Sequence, residues 1–158
     1  MYTYRNVIEE DFVLISAFPE NKMEQFYMFP SGTFPLDPVH LFEVSQTRAL
    51  PTVIESDGSL AAYCNLYDLS AGDHGWLGNV IVNPAYRGKG AGRYLIEVMI
   101  EKARNELKLK ELHLVCHNSN TKALLLYNKL GFCPYGMKIM NGHDGHEIVG
   151  IKMKLPLY

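Results

Sequence analysis

At 158 residues the chain has room for one domain, residues 1–158, with a sizeable core, and 47% apolar against 20% charged residues is an ordinary globular balance. A formal net charge of −2 weighs against a nucleic-acid binder, which would carry a basic surface. No apolar run approaches membrane-spanning length and the N-terminus shows no signal-peptide pattern, so no membrane partner is expected and the reading is cytoplasmic.

In chain order, Tyr2 to Val7 reads as a strand, and Glu9-Glu10-Asp11 places acids where a helix dipole favours them, ahead of Phe12, Leu14, Ile15 and Phe18. Lys22 to Phe29 reads as a second helical piece, and Asp37-Pro38 caps a third that runs to about Arg48. Thr52–Glu55 and Leu60–Tyr67 flank the turn Ser56-Asp57-Gly58 as a hairpin, and Asp68–Gly75 reads as a polar loop. Trp76–Val82 is a strand. From Ala91 to Leu107 an apolar stripe at Leu95, Met99, Ala103 and Leu107 predicts a long amphipathic helix. Leu112–His117 is a strand and Thr121–Leu130 a helix stopped by Gly131, with Phe132–Met137 and Glu147–Leu155 as closing strands. This order predicts a mixed α/β sheet flanked by helices.

Cys64, Cys116 and Cys133 have no metal-type or redox spacing and read as buried free thiols in a reducing compartment. The histidines form no ligand pattern, so no metal is expected; His143 and His146 flank a hairpin tip. Lysines and arginines between Lys102 and Lys110 alternate with acids, as on a solvated helix face.

The chemistry concentrates at Asn83-Pro84-Ala85-Tyr86-Arg87-Gly88-Lys89-Gly90-Ala91-Gly92, between the strand ending in Val80-Ile81-Val82 and the long helix. Glycines let backbone approach a ligand, and a row of N–H groups opening a helix is an anion site. Arg87 and Lys89 add charge. The stretch is not a P-loop, because Gly90 follows Gly88-Lys89, and not a dinucleotide fingerprint, because Arg93 stands at the third glycine position.

What Arg87 to Gly92 matches is Arg/Gln-x-x-Gly-x-Gly, the pyrophosphate loop of the GNAT acetyltransferase superfamily. Asn120-Thr121-Lys122-Ala123-Leu124-Leu125-Leu126-Tyr127, followed by Leu130-Gly131-Phe132, resembles that family's second signature. Asn120, Ala123 and Tyr127 share one helical face. The resemblance spans the chain and implies a GNAT-like fold, a central mixed sheet in which the Trp76–Val82 and Leu112–His117 strands are parallel and splay apart around acetyl-CoA.

The resemblance also assigns roles. Main chain of Val80, Ile81 and Val82 would pair with the pantetheine arm, and one N–H would polarise the thioester carbonyl. Amides of Arg87, Gly88, Lys89, Gly90, Ala91 and Gly92 would hold the pyrophosphate, Asn120 would contact the CoA arm, and Tyr127 would face the sulfur. Proton transfer from an unshifted Tyr to a thiolate is uphill by about 2 kcal/mol, so Tyr127 is expected chiefly to stabilise the departing sulfur. A primary amine is neutral only about one part in 10³ near pH 7.4, a cost of about 4 kcal/mol, so a proton acceptor is needed. Many relatives carry a Glu on the strand before the glycine loop. Here Gly78 and Asn79 stand there, leaving Asp73, His74 or a water chain as substitutes. Pocket walls are expected from the N-terminal helices and the Leu69–Gly75 and Met140–His146 loops, with Phe26, Tyr27, Phe29, Phe34 and Trp76 as aromatic lining or simple core.

The implied activity is direct acetyl transfer to a primary amine, a small molecule ahead of a peptide N-terminus or a lysine. An idle acyl-CoA sensor is the non-enzymatic alternative. Family members are commonly homodimers, though no stretch here marks an interface.

Overall fold

The structure is a computed structural model describing residues 1–158. Seven strands form one sheet: β1 (Tyr2–Asn6), β2 (Ala49–Ser56), β3 (Ser59–Ser70), β4 (His74–Val82), β5 (Glu111–His117), β6 (Cys133–Asn141) and β7 (Glu147–Pro156). Their order is β1-β2-β3-β4-β5-β7-β6, antiparallel throughout except for the parallel pair β4/β5. The helices are α1 (Phe12–Ile15), α2 (Lys22–Met28), α3 (Pro38–Ser45), α4 (Ala91–Asn105) and α5 (Thr121–Lys129). None is long and apolar enough to cross a membrane.

Strand alternation divides the core into two layers. Ile54, Ala62 and Cys64 face α4, packing with Leu95, Ile96, Met99 and Ala103, while Val53 and Tyr63 face α1 and α3 with Phe12, Ile15 and Leu41. Burying each such leucine or isoleucine stabilises the fold by about 1.5–3 kcal/mol, which is why the periodic stripe of α4 forecast its placement. The polar stretch expected as a loop over Asp68–Gly75 is largely strand: β3 runs to Ser70 and β4 restarts at His74. The helix expected to Arg48 ends at Ser45. Cys64 and Cys116 are buried as expected, but Cys133 is exposed at the start of β6.

Two local features open the sheet. β4 pairs with β5 only at His74↔Glu111, Gly75↔Leu112 and Trp76↔His113, beyond which the strands part. Within β4 the register to β3 slips between Tyr63↔Ile81 and Asn65↔Gly78, and Asn79 sits there at φ +52°. Asparagine tolerates that left-handed conformation better than most residues, and a bulge bends and twists the strand that carries it. The bend falls just past the last β4/β5 pair, so the splay has a local cause in Asn79.

Candidate active site

Strand β4 leads into a loop in which Asn83 accepts from the Ala85 N–H at 3.0 Å and donates to the Leu60 carbonyl at 2.8 Å. Gly88 and Gly90 follow at φ +74° and +84°, conformations that favour glycine. The consequence is a row of free donors: main-chain N–H groups from Gly88 to Arg93 donate to nothing within the protein. They open the fifteen-residue helix α4, whose dipole reinforces their positive character. Tyr2 fixes the loop from behind, its hydroxyl donating to the Lys89 carbonyl at 2.7 Å.

Arg87 does not extend this anion site as its charge suggested. Its guanidinium pairs with Glu24 at 2.8 Å and Glu20 at 3.3 Å and donates to the carbonyls of Val82 and Phe18. It clamps α2 onto the end of β4. Burial would push the Glu24 carboxyl up, but hydrogen bonds from Arg87 and the Glu20 N–H, with the Arg87 charge, hold it below the usual range.

Where β4 and β5 part lies a cavity of about 330 Å³, lined on the donor side by Val80, Cys116, Asn120, Ala123 and Tyr127. Asn120, Ala123 and Tyr127 line it together, as their shared helical face requires. Tyr127 is 7% exposed and its hydroxyl has no partner in the protein. No fully buried side-chain polar atom is left unpaired anywhere in the chain, so this hydroxyl opens onto the cavity. Burial pushes its pKa far up, keeping it protonated. The Cys116 thiol is pushed up to about 12 by burial and is a poor nucleophile near neutrality.

The opposite side of the cavity is assembled from distant segments. Helix α2 crosses it like a strap: Phe26 and Tyr27 stack on His117 with centroids 4.9 and 5.4 Å away, and the Tyr27 hydroxyl meets Ser119 Oγ at 2.7 Å. Asn79 is buried and spent on structure, donating to the Met28 carbonyl and accepting from Asn65, both contacts between 2.8 and 2.9 Å. A Cβ on Gly78 would come within 2.5 Å of Arg48 Nη1 and 2.7 Å of Tyr67 Cδ1. The glycine is therefore a space-making residue. No carboxylate lines the cavity. His117 does, 4% exposed, with no hydrogen bond to its ring and with burial lowering its pKa from the usual value.

Residues 14–132 match the acetyltransferase (GNAT) family. The chain belongs to that family. It is 29% identical over 97 residues to the spermidine N(1)-acetyltransferase of Escherichia coli, covering 61% of this chain and 50% of that protein. The chain thus spans about half the length of the curated relatives it matches. The spermidine N-acetyltransferase of Vibrio cholerae, solved with CoA and spermine, superposes with TM-score 0.83 at 21% identity, covering 99% of this chain and 95% of that one. The ribosomal-protein-alanine N-acetyltransferase of Brucella melitensis gives 0.82 at 21% identity over 98% and 99% of the two chains. At these identities both show the GNAT fold alone.

Within the GNAT frame, the two substitutes considered for a carboxylate base lie elsewhere. Asp73 and His74, paired at 2.6 Å, sit where the turn enters β4, at the closed end of the β4/β5 pair, and neither lines the cavity. Trp76 stays there too, against His113 and Tyr67. Phe26 is buried against His117, Phe34 is exposed, and of the expected aromatics Tyr27 and Phe29 reach the cavity wall. Of the two expected wall loops, Leu69–Gly75 is absent from the lining, and Met140 lines it with Lys138 from β6. Sequence reading missed Arg48 and His117. His117 ends β5 at the mouth of the splay, a placement that was open to notice; Arg48 follows a helix with no motif around it.

Proposed function

We propose that the protein is an acetyl-CoA-dependent N-acetyltransferase that passes the acetyl group directly to the primary amine of a small molecule within a ternary complex. The supporting observations are a row of free N–H groups where β4 gives way to α4, and a cavity at the β4/β5 splay onto which the unpartnered Tyr127 hydroxyl opens, faced by a separate wall of side chains. The residues fit acetyl-CoA, since a row of unpaired donors at a helix start suits a pyrophosphate and the free edge of β4 suits an amide-bearing arm.

Bound acetyl-CoA supplies an activated acetyl thioester and a thiol leaving group. N–H groups from Gly88 to Arg93, Lys89 among them, would hold the diphosphate, while the Arg87 N–H is spent on the Pro84 carbonyl and its side chain on Glu20 and Glu24. Val80, Ile81 and Val82 present main-chain groups along the unpaired edge, and the Asn120 side-chain amide, free of any partner in the protein, faces the cavity. Tyr127 holds a proton toward the sulfur; its raised pKa makes it a hydrogen-bond donor rather than a full acid.

His117 is the neutral base facing the acceptor. Because burial disfavours its charged form, it stands unprotonated near neutrality, able to accept, directly or through water, the proton that the attacking amine nitrogen sheds as its bond to the acetyl carbon forms. A cavity of about 330 Å³ that must also admit the acetyl-bearing end of the donor leaves room for a small acceptor. Initial velocities with acetyl-CoA and amine both varied test the direct-transfer reading. Intersecting lines are expected; parallel lines would indicate a covalent acetyl-enzyme and overturn it.

A further inference from the structure

Arg5, Arg87, Arg93 and Arg104 each have a carboxylate partner within ion-pair distance; Arg48 alone has none. It is nonetheless half-buried and lines the reaction cavity. Its guanidinium lies over the Tyr67 ring, 4.8 Å from the centroid, and its one hydrogen bond runs from Nη1 to Asn65 Oδ1 at 3.0 Å. The Asn65 amide nitrogen is committed to Tyr63 and Asn79, each at 2.9 Å, so its oxygen is held toward Arg48. Gly78 leaves the space the guanidinium occupies. A cation positioned this carefully, half out of water and without a counter-ion, is costly unless something pairs with it.

The rest of the wall has the same sign. Lys138 lines the cavity without an ion pair, His117 is neutral, and no Asp or Glu lines it. Asp68, exposed and beyond ion-pair distance, is the acid whose field reaches Arg48, together with Tyr67 and Tyr63. A polyamine would bring further ammonium groups to this positive wall. An amine that carries a carboxylate would bring the missing counter-ion, and the planar guanidinium fork matches carboxylate geometry.

We propose that the acceptor is a small primary amine bearing a carboxylate, an amino acid in the chemical sense, and that Arg48 binds the carboxylate. This rests on the transferase reading given above. Arg48 is a specificity residue, distant in role from Tyr127 and His117.

The test compares free amino acids with their own carboxamides and decarboxylated amines, beside spermidine. Two readouts run together: CoA-thiol release from acetyl-CoA, and calorimetric binding to the CoA-saturated protein. The wild type is expected to favour the carboxylate member about tenfold or more in both, the scale of one charge-assisted pair. Arg48→Gln is expected to bring that ratio near one through KM and Kd, and Arg48→Lys to restore part of it. Equal or better use of the carboxamide, the amine or spermidine by the wild type overturns the proposal without reference to any variant, as does an unchanged ratio in a folded Arg48→Gln. Absence of turnover across the set together with no binding of acetyl-CoA would sink the transferase reading; where acetyl-CoA binds without turnover, the binding readout decides: carboxylate-selective binding lost in Arg48→Gln upholds the subsite, and unselective binding overturns it.

Discussion

The two parts of the site, the loop that opens α4 and the wall of the cavity, are built from different materials. The donor end is main chain: N–H groups from Gly88 to Arg93, in one continuous segment, positioned by two left-handed glycines and a helix start. The acceptor end is side chain: Tyr27 from α2, Arg48 after α3, Tyr67 from β3, His117 from β5 and Lys138 from β6. A backbone cradle tolerates changes of side chain and reads the same ligand across a family. A wall gathered from five elements changes with each substitution, which suits acceptor choice.

The largest expected effect lies where the two ends meet. Tyr127→Phe should lower kcat by ~10²-fold or more, with acetyl-CoA affinity little changed, measured by steady-state kinetics and CoA titration. Unchanged turnover would take Tyr127 out of the chemistry.

A pair of alanine substitutions separates the ends themselves. At Gly78 a Cβ would collide with Arg48 and Tyr67, so Gly78→Ala should raise the acceptor KM about tenfold, in keeping with overpacking costs of about 1–3 kcal/mol. At Gly90, φ +84°, a Cβ meets nothing but the backbone is strained by about 1–2 kcal/mol, so Gly90→Ala should raise the acetyl-CoA KM several-fold instead. If each variant moved both KM values alike, the division into two ends would fail.

The fold was legible because it rests on periodicity: the α4 stripe and the strand alternation survive any tertiary detail. The donor end was legible for a related reason, since a main-chain site needs glycines at fixed spacing within one segment. The acceptor end was not, because Arg48 and His117 are sixty-nine positions apart and nothing local marks either one. Asn79 and Gly78 were noticed as a missing carboxylate. In the structure they are a bulge that opens the sheet and a gap that admits a cation. Arg87 read as ligand charge for want of sight of Glu20 and Glu24, which meet it from another helix.

His117→Gln tests the acceptor wall more gently. Neutral His117 is the working form and its pKa lies below the usual 6.5, so kcat/KM should fall as pH drops through that lowered value. The variant should lose about tenfold at neutral pH and should lack that acid limb. A persistent limb of the same midpoint would assign it to another group.

The smallest effect concerns the clamp joining the two ends. Glu24 has a carboxyl held below its usual value, so the folded protein binds fewer protons there than the unfolded chain. Its contribution is present above about pH 4.3 and is lost as pH falls through the lower folded value. Glu24→Gln should cost about 1 kcal/mol at neutral pH and flatten part of the acid loss of stability, read by denaturant melts across pH. A variant as stable as wild type at pH 7 would show the Arg87 clamp to be energetically idle.

The most direct measurement is CoA-thiol release from acetyl-CoA by the wild-type protein across small amines, amino acids, polyamines and N-terminal peptides, with the N-acetyl product identified by mass. Release that requires both the protein and one class of amine, with product equal to CoA formed, is the predicted result. No release with any amine, together with no binding of acetyl-CoA, would contradict the account at its centre.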